Sequence, residues 1–101
     1  MRPHRSSRVD ANHAVLRGLF INSGLGVCDV SQSPCGVDLF VSFAGVTVAV
    51  EIKDGSKPVS ARKLTDVEVR FKDQWKGHYR IVETEEQALN LIKELKRGSM
   101  G

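Results

Sequence analysis

Apolar residues recur along this chain with two periods, and the switches between them mark out seven elements. Val15, Leu16, Leu19 and Phe20 repeat at helical spacing. The helix is predicted to start near Asp10, whose carboxylate can cap the free amides of Ala11 to His13. It stops at Ser23-Gly24-Leu25-Gly26, where a glycine suits the left-handed C-terminal position. A short strand is predicted over Val27 to Val30. The segment Ser31 to Gly36 holds Pro34 and Gly36 and reads as a loop. Val37 to Phe43 alternates as a strand, Ala44-Gly45 makes a tight turn, and the β-branched run Val46 to Lys53 returns as the other arm of a hairpin.

After a polar loop over 54–63, Thr65-Asp66-Val67-Glu68 has the form of a capping box. It opens a helix to about Trp75, with Val67, Phe71 and Trp75 on one face. That spacing assigns Phe71 and Trp75 to packing, with stacking on nucleobases as the alternative role. His78 to Val82 reads as a strand. Thr84-Glu85-Glu86-Gln87 is a second capping box, opening a helix to about Lys96 with Ala88, Leu91, Ile92 and Leu95 inward. The order α-β-β-β-α-β-α predicts an α/β fold. Its sheet is mixed, an antiparallel hairpin followed by a crossover helix to a further strand, with helices flanking it. Residues 1–8 read as a flexible basic arm, 9–97 as one domain and 98–101 as a tail.

Composition changes this picture little. The chain has 101 residues, 41% hydrophobic and 27% charged, an ordinary single-domain composition. The net charge of +3 is a modest excess, so its distribution matters more than its size. Arg2, Arg5 and Arg8 crowd the start, and Lys57, Arg62 and Lys63 lie in the 54–63 loop. Both groups suit contacts to a phosphate backbone. Lys93, Lys96 and Arg97 read as solvated surface.

Other chemistries are poorly served. Cys28 and Cys35 lack the paired spacing of a zinc site, and His4, His13 and His78 are scattered. No organic cofactor is expected. No apolar run approaches the roughly 18 residues of a membrane span, and the polar N-terminus has no signal-peptide pattern. A cytoplasmic protein with reduced thiols is expected.

The candidate chemistry lies at the ends of the hairpin. Asp38 stands in Gly36-Val37-Asp38-Leu39-Phe40-Val41, and Glu51-Ile52-Lys53 follows the apolar run Val46 to Val50. Phosphodiester hydrolysis needs charge neutralised on the phosphate, a water made more acidic and a leaving oxygen stabilised. A hard divalent cation on oxygen ligands supplies all three. Asp38 and Glu51 are candidate ligands, with the Ile52 carbonyl as a third. Lys53 shares a strand face with Glu51 and can reach the attacking water and the scissile phosphate. An exposed strand end bearing Glu and Lys is the plain alternative. The apolar residues around both carboxylates favour a cleft in a central strand.

An Asp, a hairpin and then Glu-x-Lys resemble the signature of the PD-(D/E)XK nuclease superfamily. Within it the chain resembles VRR-NUC-type and phage Holliday-junction-resolvase-like nucleases. The stretch Val50 to Pro58, then Ser60 to Thr65, and Arg8-Val9-Asp10-Ala11-Asn12 carry the resemblance. It covers roughly residues 8 to 92.

The resemblance implies a restriction-endonuclease-like core and a DNA endonuclease acting on branched DNA in a bacterial or phage-infected host cell. Magnesium or manganese would sit on Asp38, Glu51 and the Ile52 carbonyl, with Lys53 assisting the water. Members often carry an acidic residue on the first helix, where Asp10 is the match and capping its other explanation. Members often carry a glutamine on the helix after the Lys strand. Here that position is Glu68, a possible catalytic residue that the capping box already explains. Val37 departs from the usual proline before the aspartate. The rival functions are a DNA-binding module that keeps the fold without cleaving, and an accessory subunit of a larger enzyme. Paired cuts in a four-way junction call for two copies, so a homodimer is expected. Leu19, Phe20, Ile21, Leu25, Val27 and Val30 offer apolar surface for its interface.

Overall fold

The computed structural model describes residues 11–100. Asp10, Arg2, Arg5 and Arg8 lie outside the described residues, and with them the helix cap and the basic arm. The chain folds as α1 (Ala11–Asn22), β1 (Gly26–Asp29), β2 (Leu39–Phe43), β3 (Val46–Ile52), α2 (Asp66–Gln74), β4 (His78–Val82) and α3 (Glu85–Arg97). A single 3-10 turn, Val59–Arg62, interrupts the polar loop. The strands form one mixed sheet in the order β1-β2-β3-β4, antiparallel from β1 to β3 and parallel between β3 and β4. This is the expected α/β arrangement, with the crossover through α2 making the parallel pair.

Local chemistry sets most boundaries. Helix α1 ends where the amides of Gly24 and Leu25 turn back to the carbonyls of Ile21 and Phe20, the paired bonds of a Schellman motif. The β2–β3 hairpin turns on Ala44 and Gly45, with φ of 52° and 85°. Two positive φ angles in succession match a two-residue hairpin loop whose twist suits the strands. Thr65 and Glu68 form a reciprocal capping box at the start of α2. The second box is only half of one. Thr84 accepts from the Gln87 amide, but the Gln87 side chain bonds the amide of Glu83, one residue before the cap.

The core lies on one face of the sheet. Leu39, Val41, Val48, Val50, Ile52 and Val82 meet Leu16 and Phe20 of α1 and Ala88, Leu91, Ile92 and Leu95 of α3. The buried stripe of α1 is His13, Leu16 and Phe20, and Val15 faces solvent instead. Met100 also packs against the core, after Gly98 and Ser99 close the end of α3 on the carbonyls of Leu95 and Glu94. Of the segment expected as a tail, Met100 packs on the core while Gly98 and Ser99 are exposed.

The apolar surplus assigned to a dimer interface is largely consumed within the chain. Phe20 and Leu25 are buried, and Leu19 and Val27 pack on the core, leaving Ile21 exposed. No described helix is long and apolar enough to cross a membrane.

The other face of the sheet carries α2. Phe40 of β2 and Tyr79 of β4 lie under Phe71 and Trp75, with ring centroids 5.3–6.3 Å apart. No residue of α2 is fully buried. This second layer is thin, and the candidate chemistry lies on its side of the sheet.

Candidate active site

Strand β3 is central, with β2 and β4 as neighbours and helices over both faces. Its last residues are therefore buried whatever their polarity, and Glu51 retains only 2% of its exposure. Successive residues of a strand alternate between faces, so Glu51 points to the α2 side while Val50 and Ile52 enter the core. Val37 is buried and Leu39 lies in the core, which sets Asp38 between them on the same side as Glu51.

Asp38 precedes the first residue of β2, shortening the strand expected from Val37, but it continues the edge. Its amide donates to the Val50 carbonyl at 3.2 Å, and its Oδ2 accepts from the Ile52 amide at 2.8 Å. A strand residue presents its N–H and C=O to the same side, so the Ile52 carbonyl also faces Asp38.

Lys53 follows the strand, and its ammonium bridges two carboxylates. Nζ lies 2.8 Å from Glu68 Oε1 and 3.5 Å from Glu51 Oε2. The same Glu68 oxygen accepts the Thr65 amide at 2.9 Å. Glu68 thus serves the capping box and holds Lys53 at once, and the two explanations of this residue are compatible. Asp38, Glu51 and Glu68 line a cleft of about 170 Å³ together with the 31–37 segment and the start of α2.

Three carboxyls in one cleft, with only two of them on the ammonium, cannot all be comfortable as anions. Burial raises the Glu51 pKa to about 9, helped by repulsion from Asp38 and by a hydrogen bond to Glu68 that needs a proton. Burial also raises Asp38, although the Ile52 amide works against it. Glu68 moves the other way. Burial opposes ionisation there too, but the bonds from Lys53 and the Thr65 amide outweigh it and lower its pKa. Burial pulls Lys53 down, and Glu68 and then Glu51 more than reverse that. The consistent picture at neutral pH is a Lys53–Glu68 ion pair beside a protonated Glu51.

Glu51 Oε1 is buried with no hydrogen-bond partner. An orphaned buried carboxyl oxygen costs on the order of 1–3 kcal/mol, so such atoms call for an explanation. The Tyr79 hydroxyl is a second buried atom without a partner. Burial and the nearby Glu51, Glu68 and Asp38 carboxyls raise its pKa to about 12. Tyr79 was legible only as a strand residue, because its nearness to the carboxyls depends on the parallel pairing of β4.

A hard divalent cation suits the donors present in kind, since Asp38, Glu51 and the Ile52 carbonyl offer oxygen alone. The orphaned Glu51 oxygen fits such a ligand. In number the set is small, and among the described residues no group of three or more His, Cys, Asp or Glu is arranged to hold a metal.

The loop cations divide. Lys57 and Lys63 are exposed. Arg62 is tied into the fold, with Nε donating to the Lys57 carbonyl at 2.9 Å and a terminal nitrogen to Glu83 Oε1 at 3.2 Å. It braces the 54–63 loop, so its expected role in binding phosphate must compete with Glu83.

Other supporting residues left little trace in the sequence. Asn12 of α1 donates from Nδ2 to the Lys53 carbonyl at 2.8 Å and to the Glu83 carbonyl at 3.4 Å. It pins the start of α1 to the chain just beyond β3. Buried His13 lies 3.4 Å from Asp29 Oδ2, which also receives Arg17 at 3.0 Å. Burial raises Asp29, but the Ser31 hydroxyl and amide, then His13 and Arg17, reverse this and hold it at about 2. Only a polar residue on an otherwise apolar helical stripe hints at His13 in the sequence.

No protein-family model matches this chain, and neither a curated protein nor a solved structure matches it, so the carboxyl cluster and its neighbours must speak for the site by themselves.

Proposed function

We propose that this domain is a metal-dependent endonuclease that hydrolyses phosphodiester bonds in DNA, built on a restriction-endonuclease-like core. The observation that carries the proposal is Glu51. A carboxyl 2% exposed, with one orphaned oxygen and a pKa near 9, is costly in the protein alone. Such perturbed groups cluster at functional sites. Magnesium or manganese held by Asp38, Glu51 and the Ile52 carbonyl would acidify a bound water and offset phosphate charge. Lys53, clamped by Glu68, would orient that water and meet the scissile phosphate.

Branched DNA, such as a four-way junction or a flap, is the substrate class that the resemblance suggests. Two symmetric cuts would require two copies of the chain, an expectation that now stands on symmetry alone.

One observation favours a second reading, a DNA-binding module that does not cleave: the small number of carboxylates able to share a metal. Incubation with a panel of labelled DNAs (four-way junction, flap, fork, duplex, single strand), with and without manganese, separates the two. Cleavage that requires metal and disappears in Asp38→Ala and Glu51→Ala supports the nuclease. Salt-sensitive binding with no cleavage of any substrate supports the module. Absence of both overturns each reading.

A further inference from the structure

A second concavity of about 340 Å³ lies between α2 and the 31–36 loop, alongside the carboxyl cleft. Its size falls within the roughly 300–1,000 Å³ typical of sites for small organic groups. One wall is a single stripe of α2, with Val67, Arg70, Phe71 and Gln74 at spacings of three and four residues, continued by Trp75. The other wall is Pro34 and Cys35. Pro34 and Val67 also line the carboxyl cleft, so the two are continuous. Gly36 lets them meet. Its φ is +99°, and a Cβ there would lie 2.7 Å from the Val67 carbonyl oxygen and 3.0 Å from the Phe71 Cβ. The loop therefore touches α2 only because residue 36 has no side chain.

The floor of this groove is built from rings. Phe71 and Trp75 stack at 5.3 Å with 19° between their planes, and Phe40 supports both from below. Trp75 is held in place by its indole N–H, which donates to the His78 carbonyl at 2.7 Å. Both rings are only half-buried. Arg70 is exposed, and among the described residues it has no hydrogen-bond or ion-pair partner.

The geometry points to a nucleobase site: the groove takes the base of one unpaired nucleotide while the adjacent phosphate enters the carboxyl cleft. Half-buried aromatic rings beside an unpaired guanidinium are what a flat, π-bearing group on an anionic backbone requires. A base inside a duplex cannot present its face to a protein groove, so the nucleotide must be single-stranded, frayed or flipped. This inference rests on reading the neighbouring cleft as a phosphodiester site. It makes the substrate a strand unpaired beside the cut.

The protein carries one tryptophan, Trp75, so its fluorescence reports on this groove alone. The test titrates the full chain in EDTA with a fluorescently labelled oligothymidylate, following tryptophan emission and strand anisotropy together. The expected result is emission quenched in step with binding. An abasic strand of equal length should bind about tenfold more weakly, given typical base–aromatic stacking, and leave emission unchanged. Arg70→Glu, at an exposed position that leaves the fold intact, should weaken binding of the oligothymidylate. Unchanged emission at saturation, equal quenching by the abasic strand, or no binding to either strand overturns the site. Quenching without cleavage of any DNA in manganese keeps the site and removes the nuclease. Cleavage of duplex DNA with unchanged emission does the reverse.

Discussion

Lys53 Nζ sits 2.8 Å from Glu68 Oε1, and through that contact the end of β3 is held to the first turn of α2. The Glu68 oxygen is already fixed by the Thr65 amide. A lysine has four rotatable side-chain bonds and much freedom to lose. Here that freedom is removed by a helix cap, which leaves the ammonium beside Glu51.

Glu68→Ala should therefore show two effects at once. Loss of the reciprocal cap should cost about 1 kcal/mol of stability, measured by urea denaturation. A released Lys53 should lower single-turnover cleavage about tenfold or more, with manganese affinity by calorimetry unchanged. Glu68→Gln keeps an oxygen acceptor and should lie between the two. Full activity in Glu68→Ala would remove Glu68 as a positioning residue.

The raised pKa of Glu51 sets a pH dependence whose sign is definite. Between its ordinary value near 4.5 and its folded value near 9, the unfolded chain releases this proton and the folded chain retains it. The folded state binds more protons there, so stability without metal should fall as pH rises through that window. The slope from one group is at most about 1.4 kcal/mol per pH unit. Denaturation from pH 5 to 9 should show the decline in EDTA, a shallower decline in Glu51→Gln, where the raised Asp38 still contributes, and a smaller decline in manganese. A wild-type profile that matches Glu51→Gln would mean that Glu51 ionises freely.

Phosphate contacts by the exposed loop cations predict a salt effect. Affinity for duplex DNA should fall with salt, and each neutralised contact should reduce the logarithmic slope by about 0.9. Lys57→Ala and Lys63→Ala should each flatten it, as should removal of residues 1–8. Arg62→Ala is different, because Arg62 binds Glu83 and the Lys57 carbonyl. It should loosen the 54–63 loop, read by hydrogen exchange, with less change in slope than either lysine variant. Filter binding over a range of salt concentrations measures all four.

Ala44 adopts φ of 52° in the hairpin turn, a conformation that costs an alanine on the order of 1 kcal/mol. The side chain is exposed, so nothing else is gained there. Ala44→Asn should raise stability by about 0.5–1 kcal/mol, read as an increase in the urea midpoint with unchanged cooperativity. Cleavage should be unaffected, since the turn lies at the far end of β3 from Glu51. A lower midpoint would contradict the strain.

What was legible in the sequence was local. The Thr65–Glu68 box, the Gly24 stop and the Ala44-Gly45 turn depend on residues within a few positions of each other. So do the face of α3 and the apolar run that buries Glu51. The second capping box misled by one residue, since Gln87 can reach the Glu83 amide as readily as that of Thr84. The stripe of α1 also came out rotated, because Asp29 lies where it can draw His13 inward.

The sequence by itself therefore determined the order of elements and the presence of two carboxyls and an ammonium at the ends of a buried hairpin. Hydrogen-bonding and hydrophobic periodicity act over a few residues, and the chain states them directly. Only the tertiary structure decided which groups share that space. Glu68 comes to Lys53 across 15 residues and Asn12 to the Lys53 carbonyl across 41. Tyr79 comes under the carboxyls through a parallel strand, and Arg62 turns to Glu83. Each of these depends on a crossover or a helix packing angle that no short window of sequence contains. Pairing energies are settled by which charges the fold buries together, and burial belongs to the whole molecule.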